Sequence, residues 1–303
     1  MANNAKAASL FSPLGKPLFP QGITGFGLNA SFGLAVDSSN HAWIPNEPGS
    51  GTAGNSVNVL DSTGASLSGS GGYTSGGLDY PIAVAIDTDS SAWIVDYGNS
   101  HLTHLSSSGQ PLSGSTGYSS SQLAFPVAIA LDSSHYVWVP NQSGTTITRV
   151  SPDGSQFTSY NCCSSPSNLA VDQSGNVWVT NFYSSSLSEV SSSGMVLANA
   201  TIAGGGLDHP QGIAIDGVGT VWIANYRSPR LSKFSGANSS TPGTALSPSA
   251  GLGAHAALLE SYAVAIDASG NLWVTNYGSS TLTEFIGLAA PVRTPQLGPP
   301  AAP

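Results

Sequence analysis

Six stretches decide the fold: AVDSSNHAWIPN (35–46), AIDTDSSAWIVD (85–96), ALDSSHYVWVPN (130–141), AVDQSGNVWVTN (170–181), AIDGVGTVWIAN (214–225) and AIDASGNLWVTN (265–276). They share one frame. The acids at 37, 87, 132, 172, 216 and 267 are 50, 45, 40, 44 and 51 residues apart, and the tryptophan six residues after each accounts for all six tryptophans of the chain. A self-similar period of this length is the mark of a repeat array in which each copy is one supersecondary unit.

The run before each acid alternates with period two: Leu34/Val36, Val84/Ile86, Ile129/Leu131, Leu169/Val171, Ile213/Ile215 and Val264/Ile266 point one way, the alanine between them the other. That is a strand pattern, since a helix would need a period near 3.6. Three residues past each tryptophan stands Asn46, Asp96, Asn141, Asn181, Asn225 or Asn276, followed by a turn and a second alternating run such as LTHLS (102–106), LSEVS (187–191) or LTEFI (282–286). A fourth short strand is expected at 64–69, 109–114 and 194–199. The Asp, Ser, Gly and Asn between the first two strands suit a hairpin whose carboxylate accepts turn N–H groups. The side chain after tryptophan is expected to close the next turn. Alanine on the innermost strand allows a neighbouring sheet to approach, and the tryptophans fill the space between sheets.

Stacking such units radially predicts an all-β, six-bladed β-propeller of four-stranded antiparallel blades. Gly15-Lys16-Pro17-Leu18 matches Gly109-Gln110-Pro111-Leu112, so an N-terminal strand is expected to complete the last blade and remove a free sheet edge. The single propeller domain then spans 9–287, with 1–8 peripheral and 288–303 a proline-rich tail.

Composition narrows the function. The 303 residues contain 16 Asp and Glu against 7 Lys and Arg, and only 8% are charged, where about 25% is usual. With no basic run to neutralise phosphates, nucleic acid and anionic membrane are unexpected partners. No stretch reaches the roughly 18 apolar residues of a membrane span, and the opening MANNAKAASLFSPLGKP lacks the apolar core of a secretory signal. There is no GxSxG elbow, HExxH helix, Walker loop or dinucleotide fingerprint. The adjacent Cys162 and Cys163 fit no zinc spacing; local packing, a vicinal disulfide and a reactive pair are all open.

PVAIALDSSHYVWVPN, PQGIAIDGVGTVWIAN and their four relatives resemble NHL-repeat β-propellers, in particular the virginiamycin B lyase-like branch, over roughly residues 9–287. The resemblance implies a propeller, and for the lyases a catalytic histidine directly after the proline of a P-H-G-I frame, a magnesium ion and an acidic partner. Here those slots hold Phe32, Ile82, Val127, Ser167, Gln211 and Tyr262. Histidine is absent from all six.

Function should sit where the repeats differ. Seven residues before the acid the copies carry Ala30, Tyr80, Phe125, Ser165, His209 and Glu260, a ring of aromatic and polar side chains suited to a pocket. The loops after the second strands bring Tyr97 and His101, Phe182 and Tyr183, Tyr226, Arg227 and Arg230, and Tyr277 toward the same face. Arg227 and Arg230 could clasp a carboxylate or sulfate, and His209 with Glu260 could form an acid/base pair. His255 lies in a nearby loop, and Asn168, Asp79 and Asp208 are the remaining donors for a lactonase-like metal site.

The leading expectation is therefore an extracytoplasmic, monomeric binding or interaction propeller that takes a small molecule, peptide or protein at the channel face through Tyr80, Phe125, Gln211, Arg227, Arg230 and Tyr262. It requires no cofactor and no metal. The alternative is a small-molecule lyase or lactone hydrolase using His209 and Glu260, with Mg2+ or Ca2+ as the ion it would recruit.

Overall fold

The computed structural model describes residues 2–3, 7–9, 22–48, 55–197, 202–253, 257–294 and 297–299. Each repeat forms one antiparallel sheet, giving the six blades of a β-propeller. The chain divides into two compact units, Met1–Ile129 with Ser151–Phe157, and Ala130–Val150 with Thr158–Pro303. The first carries blades one and two and a small sheet of Ala2–Asn3, Ala7–Ala8 and Ile23–Thr24. In the second, the inner strands of blades four to six are Pro166–Val171, Pro210–Ile215 and Ser261–Ile266.

The D-x5-W spacing has a direct cause. In blade four, one oxygen of Asp172 accepts the backbone N–H groups of Ser174 and Asn176, both at 2.9 Å, and the other accepts the indole N–H of Trp178 at 3.0 Å. Asp37, Asp132, Asp216 and Asp267 hold their tryptophans in the same way at 2.9–3.1 Å. The carboxylate thus ties the hairpin turn to the indole, which can then be buried without an unpaired donor.

The repeated alanine pairs directly across from that indole: Ala170 with Trp178, Ala214 with Trp222 and Ala265 with Trp273. Its small size makes room for the ring within its own blade. In blades one and five neighbouring inner strands also come close at a glycine: a Cβ on Gly212 would lie 2.8 Å from the Cα of Ala263, and one on Gly33 2.6 Å from the Ile82 carbonyl oxygen. Trp178 then packs into the next blade against Ile213, Ile215, Val221 and Ile223, and Trp222 likewise against Ile266, Leu272 and Val274.

The fourth strands are slighter than the sequence suggests. Tyr118–Ser119 and Phe157–Asn161 are strands, but elsewhere among the described residues the outer edge shows only isolated bridges such as Leu60 with Ser66 and Val190 with Val196. Serine hydroxyls replace part of the ladder: Ser68, Ser113 and Ser247 accept the N–H of Val59, His104 and Lys233 at 2.9–3.0 Å. The expected closing strand at Gly15–Leu18 lies outside the described residues. At the other end, Ala290 donates its N–H to Asp216 and Val292 is buried with Trp222 and Leu272, so the start of the proline-rich segment straps blades five and six.

Candidate functional site

Each blade entrance is built by the same three-residue device. The residue seven before the acid is left-handed in every copy although none is glycine: Ala30, Tyr80, Phe125, Ser165, His209 and Glu260 have φ of 44–52°. Such a conformation costs free energy for residues with a Cβ and persists only where surroundings enforce it. Two residues on, Ile82, Ser167, Gln211 and Tyr262 sit at register shifts in the inner strands, bulges that re-aim their side chains.

The repeated Asn enforces this turn. Its side-chain oxygen accepts the N–H just before the left-handed residue, Asn181 from Ser164 and Asn225 from Asp208, each at 3.0 Å. Its amide donates to the third strand, Asn181 to Ser188 at 2.9 Å and Asn225 to Ser232 at 3.0 Å. The left-handed residue in turn accepts the N–H of the aromatic residue following Asn: Ser165 from Phe182 at 3.2 Å, and His209 from Tyr226 and Glu260 from Tyr277 at 3.0 Å. The turn therefore places a variable side chain beside an aromatic one in successive blades of the second unit.

His209 is the chemical centre of that row. Its Nδ1 lies 2.8 Å from the Asp208 carboxylate, and its ring meets Phe182 edge-on at 4.9 Å and Tyr183 at 6.4 Å. Phe182 also contacts Tyr226 at 5.8 Å. The Tyr226 phenol is pushed above its ordinary range first by burial, then by the negative charge of Glu260 and by Tyr277, against a smaller opposing pull from Arg227. Glu260 lies over the backbone of Gly278, where a Cβ would stand 3.0 Å from its carboxylate. Gly278→Ala, whose Cβ would also stand 2.9 Å from the exposed Leu259 side chain, should therefore displace both side chains, and the Tyr226 phenol, followed by NMR of labelled tyrosine, should titrate nearer its ordinary value.

Tyr226 links the two blades: its N–H is held by the His209 carbonyl and its phenol lies within the field of Glu260, while Tyr262 lies against Tyr277 at 6.5 Å and Gln211 stands at the bulge of the blade-five inner strand. Arg230 donates to the Pro229 carbonyl at 2.9 Å, whereas Arg227 is exposed. Tyr80 and Phe125 belong to the first unit, where they are 41% and 46% exposed and Phe125 packs on Tyr97 at 5.5 Å. His255 lies outside the described residues. Asp208, which the sequence offered as a metal donor or as the end of the preceding loop, is the partner of His209; adjacency to a histidine was the available signal.

A divalent cation fits poorly here. Among the described residues no three His, Cys, Asp or Glu side chains converge as a metal site, Asp208 is engaged by His209, and Asn168 accepts the backbone N–H of Leu169 at 2.9 Å.

Solved propellers share this fold. The chain is similar to a streptogramin B lyase (TM-score 0.67, 15% identity, covering 84% of this chain and 82% of that one). It is also similar to the virginiamycin B lyase of Staphylococcus aureus (TM-score 0.65, 15% identity, covering 84% of each chain). A third similar structure is a gluconolactonase from Xanthomonas campestris (TM-score 0.53, 15% identity, covering 81% of this chain and 82% of that one). At such identity the likeness is one of architecture. No protein-family profile matches the chain, nor does any curated protein sequence. Among the described residues no helix is long and apolar enough to cross a membrane.

Proposed function

We propose that the face of blades four to six is an acid–base site that opens a cyclic ester or lactone by elimination or hydrolysis. The observation that carries this reading is the Asp208–His209 contact set among Phe182, Tyr183 and Tyr226. With Nδ1–H held by Asp208, the imidazole presents a basic Nε2, and the carboxylate stabilises the imidazolium once a proton has been taken. Tyr226, whose phenol is kept neutral by burial and by its hydrogen bond and proximity to Glu260 and whose ring shares Phe182 with His209, is the proposed donor for a developing oxyanion or leaving oxygen. The aromatic side chains bind the apolar body of the substrate, and Arg227 at the rim attracts a carboxylate released by ring opening. The lyase and lactonase propellers of the same fold supply the class of chemistry, and the described donor set favours a route through side chains.

The test is to incubate the protein with a panel of lactones and cyclic esters and follow products by mass. Elimination leaves the mass unchanged and creates a double bond; hydrolysis adds one water. His209→Ala should lower turnover roughly 10²–10⁴-fold, with Asp208→Asn intermediate. Turnover equal in wild type and His209→Ala would remove His209 as the base. Saturable binding without turnover across the panel would instead support the binding reading, which the exposed Tyr183 and Tyr277 favour at 74% and 53% exposure.

A further inference from the structure

One blade departs from the entrance frame in its buried plug. Nine residues before the acid, five copies carry leucine: Leu28, Leu78, Leu123, Leu207 and Leu258. Four of these are buried, at 3–8% exposure, and Leu207 packs against the Trp178 cluster. In blade four the position is Cys163, and Cys162 and Cys163 form a vicinal disulfide. The linked sulfurs occupy the leucine's place against the cluster of Trp138, Ile147, Leu169 and Val171.

The segment is held by few other bonds. The N–H groups of Cys162 and Cys163 share one acceptor, the Thr145 carbonyl, at 3.1 and 3.0 Å, and the Cys162 carbonyl accepts the Ser188 hydroxyl at 2.9 Å. The next two residues are Ser164, bonded to Asn181, and the left-handed Ser165, whose N–H donates to the Gly144 carbonyl at 3.2 Å and whose carbonyl holds Phe182. Phe182 is the ring against His209. A short path therefore joins the sulfurs to the proposed base.

We propose that Cys162–Cys163 is a thiol-exchange site whose redox state sets the rigidity of the blade-four entrance and the placement of Phe182. A thiolate of a dithiol reductant attacks one cysteine sulfur and breaks the S–S bond, forming a mixed disulfide. The reductant's second thiolate displaces that cysteine and leaves as a cyclic disulfide. Both electrons come from the reductant, and its two thiol protons are balanced by those on Cys162 and Cys163. Reduction opens the eight-membered ring and leaves two small, weakly polar thiols where the other blades have leucine. The proposal is independent of any catalytic role for His209.

The test compares oxidised and dithiothreitol-reduced full-length protein by intact mass and amide hydrogen exchange. Protein purified without reductant should resist alkylation and gain two hydrogens on reduction. The amides of Ser164, Ser165 and Phe182 should then exchange about ten-fold faster, while those of blades five and six stay unchanged. The variant C162A/C163L, which restores the repeated leucine, should exchange like the oxidised protein and ignore reductant. Free thiols in protein purified without reductant, unchanged exchange on reduction, or acceleration throughout the chain would each overturn the proposal, as would a variant that still responded to dithiothreitol. If that variant does not fold, the wild-type comparison alone decides.

Discussion

Asp96→Asn should stabilise the protein at neutral pH by ~2–4 kcal/mol and flatten the fall of its stability as pH rises from 3.8 to about 8. Asp96 stands where five of the six copies have Asn and is fully buried. Its carboxyl is pushed up from 3.8 to about 8, first by burial and further by the nearby Asp79, with hydrogen bonds from Thr103 and Asp79 offsetting part of the rise. Counting protons supports a neutral acid. The Thr103 hydroxyl lies 2.7 Å from Asp96 and 2.9 Å from the Gly76 carbonyl, but has one proton to give. A protonated Asp96 donates to Thr103, which donates to Gly76, and every group is satisfied. An ionised one takes the Thr103 proton and strands that carbonyl.

The sign follows. A carboxyl whose folded pKa lies above its unfolded value stabilises fully below the unfolded value, near 4, and loses that contribution as pH rises toward 8. Glu189, pushed up to about 7 by burial and then by Asp172, acts in the same direction. His104, lowered to about 4 by burial against Trp93, acts oppositely: its contribution is present above about 6.5 and lost as pH falls. Denaturant midpoints between pH 5 and 9 should fall with rising pH in the wild type and fall much less in Asp96→Asn. Identical slopes would show that Asp96 is ionised in the folded protein.

Trp178→Ala should cost about 3–5 kcal/mol, the largest single loss expected from the repeat frame. Its ring is fully buried among Leu187, Ile202, Ile213, Ile215 and Phe234, so truncation opens a cavity between blades four and five. It also leaves the buried Asp172 carboxylate without its indole donor. Trp178→Phe keeps most of the volume and isolates the lost hydrogen bond, for which ~1–3 kcal/mol is expected. Equal losses in both variants by urea titration would mean that the hydrogen bond, rather than the packing, dominates.

The tandem frame made the architecture legible because period-two runs and an invariant D-x5-W spacing repeat six times, and six coincidences of local pattern leave little choice of fold. The role of the turn acids was legible for the same reason, since a carboxylate beside Ser, Gly and Asn has N–H groups at hand. That the same carboxylate also holds the indole was not, because the bond spans two strands whose pairing register fixes it. The alanine shows the same limit: its size was visible, but that its partner across the pair is tryptophan was not. At the site, variable positions pointed to His209 and Glu260, whereas the left-handed turn that seats each of them beside Tyr226 and Tyr277 could not be read from residues as unlike as Ala30, Phe125 and Glu260.

By itself the sequence determined the six repeats, the three inner strands of each and which positions vary, since these depend on alternation and spacing along the chain; the outer edges, which among the described residues are reduced to bridges in several blades, it did not. Tertiary structure decided which variable groups meet: Asp208 with His209, Phe182 with His209, and the linked sulfurs of Cys162 and Cys163 against the Trp138 cluster. The two contacts to Phe182 and the Trp138 cluster join residues from different blades, and the Asp208–His209 contact depends on a backbone held left-handed by an Asn on the next strand, so side-chain pairing there follows packing rather than sequence distance.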